Sequence, residues 1–156
     1  MKDTVLSNSG SSSNGALLIQ PTGAGTATIE LERVQILNAI GNGVRADATM
    51  GAVDVELHDV TVAGASGGSA IVALSQTSGG PTVNLLADKV TSSHNAGYGF
   101  RAVGGTASVY LRGSTIENDG VGLGVSSGGQ IFSYGDNSLA NNTGGNGVTP
   151  TLAASE

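Results

Sequence analysis

Three short runs of alternating apolar residues, separated by Gly/Asn turns, recur along this chain at intervals of twenty-odd residues. No other feature restricts its fold as strongly. Residues 28–46, TIELERVQILNAIGNGVRA, show the pattern best: Ile29 and Leu31, then Val34 and Ile36, then Val44 and Ala46. Residues 54–73 repeat it with Val55, Leu57, Val60, Val62 and Val72. Residues 84–102 repeat it with Leu85, Ala87, Val90, Phe100 and Ala102, Ser92 standing where a fourth apolar residue is due. A fourth copy carries Val109, Leu111, Ile116, Leu123 and Val125, and a last one decays through Ile131, Leu139 and Val148. The equivalent residues Val34, Val60 and Val90 lie 26 and 30 positions apart.

Apolar residues two apart in β-branched runs read as strands, whereas a helix would space them by three and four. Twenty-six glycines leave almost no ten-residue window in which a helix would be favourable. A strand-built unit repeating every twenty to thirty residues is the mark of a solenoid. The expected fold is therefore all-β: a parallel β-helix of about five to six coils, three short strands per coil, forming a single domain over residues 1–156. Residues 1–14 read as an irregular first coil and 141–156 as a polar C-terminal tail. Equivalent strands of adjacent coils pair about 4.8 Å apart. Ile29, Val55, Leu85 and Val109 then form one interior column, Val34, Val60 and Val90 a second, and Val44, Val72, Phe100 and Leu123 a third. A coil is complete only between two neighbours, and the Gly-rich segment 141–147 reads as a poor cap. Self-association through coil ends, or further coils of a longer solenoid, would cover the exposed rungs.

Composition narrows the partners. Six Lys or Arg against twelve Asp or Glu give a net charge of −6, and five aromatic residues are thinly spread. Such a surface lacks the basic footprint that a phosphate backbone requires, so nucleic acid is not an expected partner. With no cysteine there are no disulfides and no thiol chemistry. No apolar run approaches the roughly 20 residues of a spanning helix, so membrane insertion is not expected. The opening residues do not read as a signal peptide, and the compartment stays open.

Particular phrases carry a family likeness. Residues 15–23 (GALLIQPTG), 32–36 (ERVQI), 42–47 (NGVRAD) and 129–137 (GQIFSYGDN) resemble right-handed parallel β-helix repeat proteins of the pectate-lyase-like superfamily, above all its small bacterial members of unassigned activity. The resemblance spans essentially the whole chain and implies the right-handed sense, which parallel β crossovers also prefer. It further implies that an extracellular or cell-surface setting and polysaccharide partners belong on the list of expectations. The superfamily holds both polysaccharide lyases or hydrolases and non-catalytic adhesins, so the fold leaves activity open.

Aligning the copies brings charges into register. Glu32, His58, Asp88 and Arg112 occupy one position, and Arg33, Asp59 and Lys89 the next. Two readings follow: solvated ladders of neutralising pairs, or a polar groove gripping a saccharide or cation. Arg45 and Arg101 occupy matching outward positions, with Asp47 near Arg45. Under a lyase reading such a basic residue would remove a sugar proton beside a cation, and only under that alternative does calcium enter. Glu30 and Glu56 on adjacent coils are at best a glycosidase-like carboxylate pair and more simply two solvated strand residues. His58 and His94 lack metal-ligand spacing, no catalytic residue is assigned, and no cofactor is expected. Asn38, Asn95 and Asn118, beside His94, fall near one corner, where stacked Asn satisfies backbone groups. Tyr110 points outward beside Glu56 and Leu86 as a sugar-stacking platform or an oligomer contact. Thr-x-Thr pairs, which regular hydroxyl spacing would need, do not recur coil by coil. The expectation is a non-catalytic structural, binding or surface-interaction module, with a carbohydrate-active enzyme, intact or degenerate, as the alternative.

Overall fold

The computed structural model describes residues 1–76 and 79–153; positions 77–78 of the second copy and 154–156 of the polar tail lie outside the described residues. Among the described residues there is no helix. Sixteen strands follow one another: β1 (Lys2–Ser7), β2 (Leu17–Ile19), β3 (Thr26–Leu37), β4 (Val44–Asp47), β5 (Ala52–His58), β6 (Thr61–Ala63), β7 (Ile71–Leu74) and β8 (Val83–Asp88), then β9 (Thr91–Ser93), β10 (Tyr98–Val103), β11 (Ala107–Arg112), β12 (Thr115–Glu117), β13 (Val121–Ser126), β14 (Gln130–Ser133), β15 (Ser138–Ala140) and β16 (Thr151–Leu152).

Every strand pair is parallel and joins equivalent segments of successive copies, giving a β-solenoid of about five turns. A first sheet runs β3-β5-β8-β11-β14-β16, a second β1-β3-β6-β9-β12-β15, and a third β2-β4-β7-β10-β13. The long strand β3 serves the first sheet with Thr26–Glu32 and the second with Gln35–Leu37. Elsewhere the same corner interrupts the strand.

The corners have a common backbone solution. Asp3, Arg33, Asp59, Lys89 and Gly113 all adopt a left-handed conformation, with φ between 49° and 54°. The next corner repeats it at Asn8, Asn38, Gly64, His94, Asn118 and Asn141. Asn, Asp, His and Gly tolerate this region best, which accounts for the second series; Arg33 and Lys89 occupy it against preference.

Interior columns follow the register. Ile29, Val55, Leu85, Val109 and Ile131 are successive partners, as expected, although Ile29 on the terminal rung is only partly buried. Val34, Val60 and Val90 are fully buried. The third column departs from the sequence reading. Val44 pairs with Ile71, then Phe100 and Leu123, while Val72 faces outward between Arg45 and Arg101. A one-residue shift exchanges the faces of a strand. Here Ile71, Val72 and Ala73 are all buried, so apolar pattern alone does not reveal the register.

Polar residues inside the solenoid are not defects. Asn95 is 2 % exposed and Asp119 fully buried, and they form a stack with Asn142 in which each side chain accepts the amide hydrogen of the preceding rung. Ala65 N donates to Asn95 Oδ1 at 2.9 Å, Asn95 N to Asp119 Oδ1 at 2.9 Å, and Asp119 N to Asn142 Oδ1 at 2.9 Å. Ser92 enters the same network, donating its hydroxyl to Asp119 Oδ2 at 2.6 Å. That bond explains how a serine fills an interior column otherwise made of Ile36, Val62, Ile116 and Leu139. Asn95 therefore leaves the corner series of Asn38, His94 and Asn118, where the sequence reading placed it. It sits one residue further on and points inward.

The tail continues the winding. Leu123 N donates to Asn146 O and Val148 N to Leu123 O, so residues 146–148 lie along the outer edge of β13, and β16 pairs with β14. Segment 141–147 thus covers part of the end. Val125 at that end is 40 % exposed, though its register partner Ala102 is buried.

Two substitutions test this packing. Val60→Asp places an unpaired carboxylate at a fully buried apolar position, a cost on the order of 5 kcal/mol or more, comparable with the whole stability of a domain. Loss of the cooperative denaturation transition is expected. Asp119→Asn should be tolerated within about 1 kcal/mol, because Asn already holds the neighbouring rungs and its amide can donate to Ser92 Oγ. Asp119→Leu strands two buried donors, the Asn95 amide and the Ser92 hydroxyl, and should cost about 3 kcal/mol or more in urea denaturation.

Candidate functional site

The side chains singled out by charge separate into three groups. Glu32, His58, Asp88 and Arg112 are consecutive register partners along the first sheet, and Lys2 precedes them opposite Glu32. Lys2 Nζ lies 2.8 Å from Glu32 Oε2, His58 Nδ1 3.4 Å from Asp88 Oδ2, and Arg112 Nη2 2.8 Å from the same Asp88 oxygen. Arg33, Asp59 and Lys89 stand beside this row on the left-handed corner. Arg33 pairs with Asp3 at 2.7 Å and also with Glu32. Arg45 and Arg101 lie on the third sheet, away from both rows.

These contacts lower several carboxyl pKa values. Lys2 holds Glu32 below its ordinary value against some desolvation, with Arg33 adding to the effect, and Arg33 does the same for Asp3. Arg112 lowers Asp88, again opposed by partial burial and helped by His58. Arg33 and Arg112 are correspondingly shifted upward by Asp3 and Asp88. Alternating signs thus neutralise one another along the rungs. Asp59 and Lys89 are the members of these rows without an ion pair among the described residues.

On the third sheet the two arginines are differently engaged. Arg45 Nη2 donates to Asp47 at 2.7 Å and Nη1 to the Ser13 carbonyl at 2.8 Å. Asp47 is 2 % exposed. Burial acts to raise its pKa, but the hydroxyl and amide of Thr49, with Arg45, overcome that and lower it. Arg101 lies over the Tyr98 ring, 5.2 Å from its centroid, with Val72 between it and Arg45. A Cβ at position 124 would collide with that same ring, so Gly124 is required where Tyr98 crosses the sheet. Among the described residues no three His, Asp or Glu side chains converge as a metal site would need.

A concave feature of the surface lies elsewhere, on the outward face of the first sheet. One row there reads Glu30, Glu56, Leu86, Tyr110, Phe132, and the row beside it Thr28, Asp54, Asn84, Ser108, Gln130. Tyr110 and Phe132 stack with centroids 4.9 Å apart and planes 14° from parallel, which is one rung of the ladder. Phe132 therefore covers one face of Tyr110, and the other face looks back across Leu86. A cavity of about 380 Å³ opens there, lined by Asp54, Glu56, Asn84, Leu86 and Tyr110. Asn84 Nδ2 donates to Asp54 at 2.9 Å, orienting that carboxylate, and Glu56 Oε2 is 3.4 Å from His58 Nε2. The grouping of Tyr110, Glu56 and Leu86 is thus present as read from the sequence. The backing by Phe132 was overlooked, although Phe132 follows Ile131 as Tyr110 follows Val109. Thr61, Thr91 and Thr115 do stack on the second sheet, but only as a single row, next to Ala63, Ser93 and Glu117.

Compared with family models, with curated proteins and with solved structures, the chain has no match.

The lowered carboxyl pKa values carry a pH signature. Each such group ionises at lower pH folded than unfolded, so its stabilisation is complete above the ordinary values, 3.8 for Asp and 4.5 for Glu. It disappears as pH falls through the lower folded values. Stability should therefore decline on acidification below about pH 5. Asp47→Asn should lose about 2 kcal/mol at pH 7, through weakened charge-assisted hydrogen bonds, and show a shallower acid decline. Arg112→Ala, in an exposed pair, should barely move the urea midpoint.

Proposed function

We propose that this chain is a non-catalytic β-solenoid module that binds a glycan on the outward face of its first sheet, and that it is a member of the right-handed, pectate-lyase-like group its sequence resembles. Three strands per coil, parallel pairing throughout and a buried asparagine-rich stack favour that kinship. The observation that carries the functional reading is the cavity beside Tyr110. Its aromatic wall is held rigid by Phe132, its floor is Leu86, and Asn84, Asp54 and Glu56 supply polar groups along the rim. A sugar ring has an apolar C–H face and a hydroxyl edge, and a wall of this kind with adjacent acceptors complements both.

A binding role fits better than turnover. The basic residues that a lyase would use are spoken for: Arg45 by Asp47 and Ser13, Arg101 by Tyr98. Glu30 and Glu56 are both exposed, and neither is buried as a raised-pKa general acid is. The charged row Glu32–His58–Asp88–Arg112, with Lys2 and Arg33, serves mainly to pair within itself, and it flanks the cavity rather than forming it.

Screening against an immobilised glycan array tests the proposal. Retention of at least one glycan class is expected, without release of shortened or unsaturated products. Tyr110→Ala removes the wall and should weaken binding by at least about tenfold, roughly 1.4 kcal/mol. Unsaturated products, or binding indifferent to Tyr110→Ala, would sink it.

A further inference from the structure

The charge around the cavity narrows the ligand beyond "a glycan". All six Lys and Arg side chains lie elsewhere: Lys2, Arg33, Lys89 and Arg112 on the charged rows and corner, Arg45 and Arg101 on the third sheet. The cavity itself presents Asp54 and Glu56, with Glu30 on the next rung of the Glu56 row. Only His58, 3.4 Å from Glu56, stands as a basic partner to them. The Glu56 side chain is 60 % exposed, free to close on a ligand.

Resting on the proposed glycan-binding role, the geometry points to a glycan carrying free amino groups, a de-N-acetylated amino-sugar polymer, as the occupant. An ammonium held between Glu56 and Asp54 meets two carboxylates, while the sugar ring reaches across Leu86 toward the open face of Tyr110. The sugar's C–H face lies over Leu86. Glu30 repeats the carboxylate on the next rung, about 4.8 Å away, and extends the anionic strip beyond the cavity. An acidic polysaccharide, the substrate class of the lyase alternative, would face like charge at the Glu30 and Glu56 rungs.

Calorimetric titration at pH 6 with glucosamine oligomers, their N-acetylated counterparts and galacturonate oligomers decides the matter. The amine-bearing oligomer should bind at least about tenfold tighter than the N-acetylated one, and galacturonate not measurably. Glu56→Gln should erase that difference, so that the two oligomers bind alike. Glu117→Gln, an equal charge change on the second sheet, should leave both unaltered, which separates a site from diffuse attraction. Equal binding of the two oligomers overturns the amine assignment and leaves the glycan-binding role standing. Equal loss in Glu56→Gln and Glu117→Gln overturns it as well. Binding of oligolysine with the same Glu56 dependence, and of no sugar, replaces it by a basic protein segment and removes the glycan role too.

Discussion

Each rung of the solenoid donates amide hydrogens to both neighbouring coils and accepts them from both, so a coil is satisfied only when flanked on both sides. Nearly all long-range order in the molecule follows from that stacking. It holds equivalent residues of successive copies in line and turns a repeat in the sequence into columns in space. It also makes the two ends unlike the middle. Ile29 on the first rung of its column is partly exposed, while Val55, Leu85 and Val109 behind it are buried. At the other end the Gly-rich segment lays its own backbone along β13.

The same stacking governs which polar groups the interior can hold. A narrow β-solenoid has little room for water, so a buried side-chain oxygen needs a donor within the protein. The Asn95–Asp119–Asn142 stack meets that need by accepting backbone amides at a turn where the ladder would otherwise leave them unpaired. Ser92 is admitted to an aliphatic column because Asp119 receives its hydroxyl. Left-handed corners complete the arrangement, allowing the chain to change sheets without losing register.

On the surface, stacking acts on charge and aromaticity in opposite ways. Opposite charges on consecutive rungs, as in Lys2 and Glu32 or Asp88 and Arg112, cancel and leave little field to act on a ligand. Like features on consecutive rungs accumulate instead. Tyr110 and Phe132 become one rigid wall, and Glu30 and Glu56 a short anionic strip, with Leu86 between wall and strip. The proposed ligand site arises where the row stops alternating.

From the letters alone came the all-β solenoid, its three strands per coil, the first two interior columns, the charge rows and the outward grouping of Tyr110 with Glu56 and Leu86. Period-two alternation and fixed repeat spacing are local properties, and they survive folding because parallel stacking preserves them. Three things were decided only by the tertiary structure. Val72 and Ile71 exchanged faces, because three consecutive residues are buried there and periodicity falls silent. Asn95 turned inward, because Asp119 on the next coil and Ser92 on its own coil are its hydrogen-bond partners there. The division of the charged residues between two sheets, and the ligand-sized gap beside Tyr110, depend on which faces the corners turn outward and on how long each side chain is. Spacing along a chain records neither.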